Sequence, residues 1–159
     1  MRAARIAITC LSVIVASCAT TNLPEYSAPQ EGAPYSVVEN QGVVGLTTTS
    51  CQLLPGDNRI CGAELTRVDG KHVSFMALGN RIEPGTHKVR LMCSYWHGGP
   101  MFFGGITTIT RDLRVELRPG VTYQINATHQ NLGCDVNVIE KESGRVVGAE
   151  LPYGAADEE

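Results

Sequence analysis

Asp112-Leu113-Arg114-Val115-Glu116-Leu117-Arg118-Pro119-Gly120-Val121-Thr122-Tyr123-Gln124-Ile125-Asn126 alternates apolar and polar side chains on both sides of a Pro-Gly pair. Leu113, Val115 and Leu117 take one face, against Asp112, Arg114, Glu116 and Arg118. Val121, Tyr123 and Ile125 repeat the pattern against Thr122, Gln124 and Asn126. A period of two belongs to a strand with one face in a core. Two such strands about a turn pair predict a hairpin.

Outward from this stretch, turn pairs recur at short intervals: Pro55-Gly56, Asp69-Gly70, Pro84-Gly85 and Ser143-Gly144. Between them the β-branched runs predict strands at 43–49, 60–68, 72–78, 86–95, 106–117, 121–128, 135–140 and 145–151. No segment carries a helical stripe. The expected fold is all-β, a single antiparallel sandwich of seven or eight strands, with a small barrel as the other architecture of this spacing. Ile82-Glu83-Pro84-Gly85-Thr86-His87-Lys88-Val89 weakly echoes Leu117-Arg118-Pro119-Gly120-Val121-Thr122-Tyr123-Gln124, each a Pro-Gly turn launching an alternating strand.

The amino terminus reads differently. Arg2 and Arg5 precede an apolar run from Ile6 to Val15, too short to cross a bilayer, and Val15-Ala16-Ser17-Cys18 closes it. This resembles the lipobox of bacterial lipoprotein precursors. The resemblance implies cleavage before Cys18, a diacylglyceryl group on its thiol and acylation of the new amino terminus, an anchor stronger than a single chain provides. Ala19, where aspartate would signal inner-membrane retention, then implies the periplasmic side of the outer membrane. An ordinary secretory signal is the plainer reading.

Four segments are therefore expected: a signal peptide at 1–17, a lipidated cysteine with a flexible tether at 18–41, a sandwich domain at 42–153 and a frayed acidic tail at 154–159. The tether rests on Pro24, Pro29 and Pro34 among polar residues, and its twenty-odd residues would reach roughly 60 Å. The precursor carries a net charge of −3, and loss of Arg2 and Arg5 takes it to −5. That balance argues against nucleic acid, which needs a basic surplus.

Cys10 leaves with the signal and Cys18 takes the lipid. Cys51, Cys61, Cys93 and Cys134 remain, in a compartment that permits disulfides. Three pairings are possible. Cys93 shares parity with Val89 and Leu91, and Cys134 with Val136 and Val138, so both point inward. Cys93–Cys134 is the favoured bridge, with Cys51–Cys61 closing a local loop.

Val68-Asp69-Gly70-Lys71 followed by Ile82-Glu83-Pro84-Gly85-Thr86-His87-Lys88-Val89 resembles the turn and strand motifs of PEGA-like domains, with similar spacing in small proteobacterial lipoproteins. The match runs from about Ile60 to Cys93. It implies an envelope interaction module and brings no catalytic residues.

Trp96, His97, Met101, Phe102 and Phe103 lie in a glycine-flanked stretch, 95–105, that holds the only tryptophan and two of the three phenylalanines. Displayed, they would contact a partner; folded back, they would plug one end of the sandwich. Cys93, His97, His129 and Cys134 gather at one end if consecutive strands run antiparallel, and their ligand types would suit zinc or copper. A disulfide competes for both sulfurs. His72 and His87 read as surface residues, Asp57, Asp69 and Asp112 as turn or solvated-strand residues, and Lys88, Arg90, Arg111, Arg114 and Arg118 as an outward face. No Ser, His and Asp set or phosphate-binding glycine loop is apparent.

The leading expectation is a non-catalytic, lipid-anchored binding or scaffolding module without a cofactor, acting on an envelope protein or glycan. A metal-binding lipoprotein comes second and an enzyme third.

Overall fold

The computed structural model describes residues 24–42, 59–73, 78–98, 104–130, 133–152 and 154–157. Eleven strands are named among them: β1 (Ser36–Glu39), β2 (Gln41–Gly42), β3 (Arg59–Val68), β4 (Lys71–His72), β5 (Gly79–Ile82), β6 (Gly85–Gly98), β7 (Gly104–Leu117), β8 (Thr122–Gln130), β9 (Gly133–Glu140), β10 (Val146–Val147) and β11 (Ala149–Leu151). A 3-10 turn, Ala155–Asp157, follows. The fold is all-β, in two sheets. One has the order β11-β7-β6-β3-β2, with β4 also on β3; the other is β10-β9-β8-β1-β5. Pairing is antiparallel except β1 with β8, which run parallel because β1 starts at the end where β8 also starts.

The inward faces meet in one core. Leu65, Val89, Leu91 and Cys93 come from the first sheet, and Ile82, Tyr123, Ile125, Val136 and Val138 from the second. All are buried, as their alternation in sequence requires. Cys93 in β6 and Cys134 in β9 form the expected disulfide, joining the two sheets.

The turn pairs divide into two kinds. Asp69-Gly70 joins β3 to β4 within one sheet, and both residues have positive φ, 47° and 75°. That is the doubly left-handed turn whose twist suits a hairpin. Pro119-Gly120 does something else. β7 and β8 belong to different sheets, so the expected hairpin around it is corrected to a crossing between sheets. The Val121 N–H donates to Arg118 O at 3.3 Å, and Gly120 has φ 73°, the geometry of a Pro-Gly type II turn, which does not match hairpin twist. Pro84-Gly85 likewise carries the chain from β5 in the second sheet to β6 in the first. The echo between these two segments is therefore one device used twice.

Other boundaries shift as well. Residues 24–41, expected as tether, belong to the domain. β1 lies between β5 and β8, the Tyr26 N–H donates to His72 O at 2.6 Å, and the His72 N–H donates to Pro24 O at 2.8 Å. A proline-rich segment satisfies its backbone at a sheet edge without needing an apolar period of its own. The strand expected at 145–151 breaks at Gly148, where the chain passes from β9 to β7. The tail is not frayed through Asp157: Ala156 is fully buried, and its carbonyl accepts the Gly70 N–H at 2.8 Å. The strand expected at 43–49 lies outside the described residues, as do residues 74–77 of the one expected at 72–78.

Candidate functional site

Two clusters of polar groups stand out, both at the end of the sandwich formed by the Asp69-Gly70, Pro84-Gly85 and Pro119-Gly120 turns. In the first, Asp69 turns its carboxylate back over β6. Oδ1 accepts the Lys88 N–H at 2.8 Å and Oδ2 lies 2.6 Å from His87 Nδ1. The other ring nitrogen, Nε2, lies 2.8 Å from the Glu83 carbonyl oxygen. Carboxylate and carbonyl are both acceptors, and each ring nitrogen is engaged by one of them. Neither nitrogen is then open to deprotonate a nucleophile. Tyr26 closes the side, its hydroxyl accepting the Glu83 N–H at 3.2 Å. Burial pushes the Tyr26 phenol up; the Glu83 hydrogen bond opposes this, and the Glu83 and Asp69 carboxylates add to it. These groups, with Glu25 and Lys71, line a cleft of about 290 Å³ that Ser27 also borders. Serine, histidine and aspartate thus share a cleft, with both histidine nitrogens placed on Asp69 and Glu83.

The second cluster holds the carboxy terminus. Arg90 and Asp112 are cross-strand partners on the outer face of the first sheet. They are 7% and 1% exposed, because the 3-10 turn covers them. Arg90 meets Asp112 with Nε at 2.8 Å and Nη2 at 2.9 Å, and reaches Asp157 with Nη1 at 3.1 Å and Nη2 at 2.9 Å. The N–H groups of Gly154 and Ala156 donate to Asp112 at 2.6 and 3.4 Å. Arg67 pairs with Asp157 as well. Burial alone would raise the Asp112 carboxyl; Arg90 and the two backbone donors outweigh it and hold it below its ordinary range. The expectation of a solvated face is corrected for Arg90 and Asp112. A strand's polar parity marks the face away from the core, and a later segment can still cover that face.

The expected site residues are dispersed. Trp96 is not in a loop but near the end of β6, 2% exposed, in a small cluster with Cys61 and partly buried Ile106, apart from the main core. It is therefore not displayed for a partner. His97 stands opposite Gly105 in the β6–β7 ladder. Met101, Phe102 and Phe103 lie outside the described residues. The Cys93–Cys134 bond removes both sulfurs from the metal set, leaving His97 and His129 of the four, and His129 pairs in register with Cys134. No group of three metal-binding side chains occurs among the described residues. Cys61 is disulfide-bonded, while its expected partner Cys51 and the lipidation site Cys18 lie outside the described residues.

Sequence reasoning passed over Asp69 with His87, though the turn and strand motifs of the PEGA-like resemblance contain both. Arg90 with Asp112 left a fainter signal: opposite charges on adjacent alternating strands, with an acidic segment still to follow. Comparison with protein-family models, curated proteins and solved structures finds no match to this chain.

Proposed function

We propose that this chain is a lipid-anchored, non-catalytic binding or scaffolding module of a bacterial cell envelope, held at the periplasmic side of the outer membrane. The observation that carries the reading is Val15-Ala16-Ser17-Cys18 after a short apolar run. A disulfide between the sheets fits an oxidising compartment. The side chains best suited to chemistry in the described residues serve the fold: both His87 nitrogens are engaged, Cys93 and Cys134 are joined, and Asp112 is surrounded by donors. The resemblance to PEGA-like domains points the same way, toward contact rather than turnover, with an envelope protein or glycan as partner.

Expression of the full precursor and its Cys18→Ser variant in a Gram-negative host tests the anchor. The native product should carry acyl mass and fractionate with membranes, and the variant should be released. A native product without acyl mass, as soluble as the variant, overturns the reading.

A further inference from the structure

We infer that the domain stands upright on its membrane, with the Asp69-Gly70, Pro84-Gly85 and Pro119-Gly120 end against the lipid headgroups and the far end of the β6–β7 hairpin pointing into the periplasm. This rests on the lipoprotein reading and adds to it the surface that meets the bilayer.

The argument is one of reach. Pro24 is already part of the fold, its carbonyl accepting the His72 N–H at 2.8 Å, and Glu25 bridges to His72 in parallel. Only residues 19–23 separate it from Cys18. Six Cα–Cα steps span at most about 22 Å, whatever path they take. The attachment point lies at one end of the sandwich. His72 belongs to the β3–β4 hairpin beside Asp69-Gly70, and the Tyr26 hydroxyl meets Glu83 at the β5–β6 turn. From that end β6 and β7 run in unbroken register for fourteen residues each, from Gly85 opposite Leu117 to Gly98 opposite Gly104. At about 3.3 Å per residue the hairpin extends roughly 40 Å. That is about twice the leash. An inverted domain would raise Pro24 beyond the reach of the leash, so the attached end is the near one, and a domain lying on its side is the arrangement that the test below separates.

The near end has the character of a surface that rests at headgroups without inserting. Its exposed large apolar side chains are Tyr35, with the Arg81 guanidinium 4.7 Å from its ring, and Val146 beside the β9–β10 turn. A tyrosine with a stacked cation suits the headgroup level. Its charges are mixed, and among them Arg118 and Arg145 pair with Glu140, and Lys141 with Glu39. The leash rather than charge sets the orientation, so salt should not change it.

The test uses the full lipidated protein in phosphatidylethanolamine and phosphatidylglycerol vesicles that carry an energy-transfer acceptor on their headgroups. A donor is attached through an azide-bearing residue replacing either Glu142, exposed in the β9–β10 turn, or Thr108, exposed on β7 nine residues from Leu117. The donor at Glu142 should be quenched at least twice as efficiently as that at Thr108, equally at low and high salt. A twenty-residue Gly-Ser spacer inserted after Asn22 should bring the two values together. Vesicle-bound, acylated protein with equal quenching at both positions overturns the orientation and leaves the lipoprotein reading standing. A product without acyl mass that does not sediment with vesicles overturns both.

Discussion

The Asp112 carboxylate sits beneath the carboxy-terminal turn with four donors around it: two from Arg90 and the N–H groups of Gly154 and Ala156. Removing one partner of a buried ion pair leaves the other charge desolvated. Asp112→Ala should therefore destabilise by about 3–5 kcal/mol at neutral pH. The carboxyl is held below its ordinary range, so its contribution is complete above the unfolded value of about 3.9 and is lost as pH falls through the lower folded value. Urea midpoints of wild type and variant should converge on acidification below pH ~4, and a gap that ignores acid would exclude the ion pair as its source. Glu64 is the opposite case. Burial raises its carboxyl, and Oε2 is buried without a hydrogen-bond partner. The folded state then holds this proton more tightly than the unfolded chain. Stability declines as pH rises from about 4.3 through the raised value. Glu64→Gln should stabilise by about 1 kcal/mol at pH ~7 and by nothing near pH ~3, and a variant that melts below wild type at neutral pH would refute this account.

At the scale of elements, the chain is punctuated where it changes sheets. Gly148 lies between β10 on one sheet and β11 on the other, with φ 112°; a Cβ there would meet Val115 Cγ1 at 2.9 Å and Arg114 O at 3.1 Å. Gly120 also has positive φ, 73°, but a Cβ would meet nothing within 4 Å. Both substitutions to alanine carry backbone strain, and only the first adds a collision with main chain. Gly120→Ala should cost about 1–2 kcal/mol and Gly148→Ala about 3 kcal/mol or more, by chemical denaturation. Equal losses would show that strain alone governs both sites. These elements also mark how far the sequence can be read. β3, β6, β7, β8 and β9 follow from alternation because each has one face in the core and enough residues to display a period. β1 and β5 have four residues each and no such length. Pairing is harder, because two strands with inward faces alternate identically whether they lie side by side or oppose one another across the core. Turn chemistry carries the distinction: Asp-Gly makes the hairpin at 69–70, and Pro-Gly makes the crossings at 84–85 and 119–120. The inward parity of Cys93 and Cys134 survived this ambiguity because it concerns the face and not the neighbour. Asp69 with His87, and Arg90 with Asp112, stayed hidden because their partners are set by register and by the covering turn.

For the whole molecule, the question is what keeps the two sheets together. Much of the answer is the shared core, but β6 and β9 are also joined by Cys93–Cys134, which are 41 residues apart in sequence. In the chain-entropy model a bridge closing a loop of that length stabilises by about 4 kcal/mol, through restriction of the unfolded chain. Both half-cystines are buried, and the strands beside them pack through Leu91, Val136 and Val138. Replacing both by alanine should therefore preserve the sheets while moving the equilibrium. The Cys93→Ala/Cys134→Ala protein should keep its β-sheet circular dichroism and lose about 3–4 kcal/mol in urea unfolding. Its denaturant slope should rise, because the unbridged chain exposes more surface when it unfolds. That rise separates an effect on the unfolded state from a simple packing defect, which would lower the midpoint at constant slope. A loss below about 1 kcal/mol with an unchanged slope would mean that the bridge does not restrict the unfolded chain, leaving the apolar faces to hold the sandwich closed.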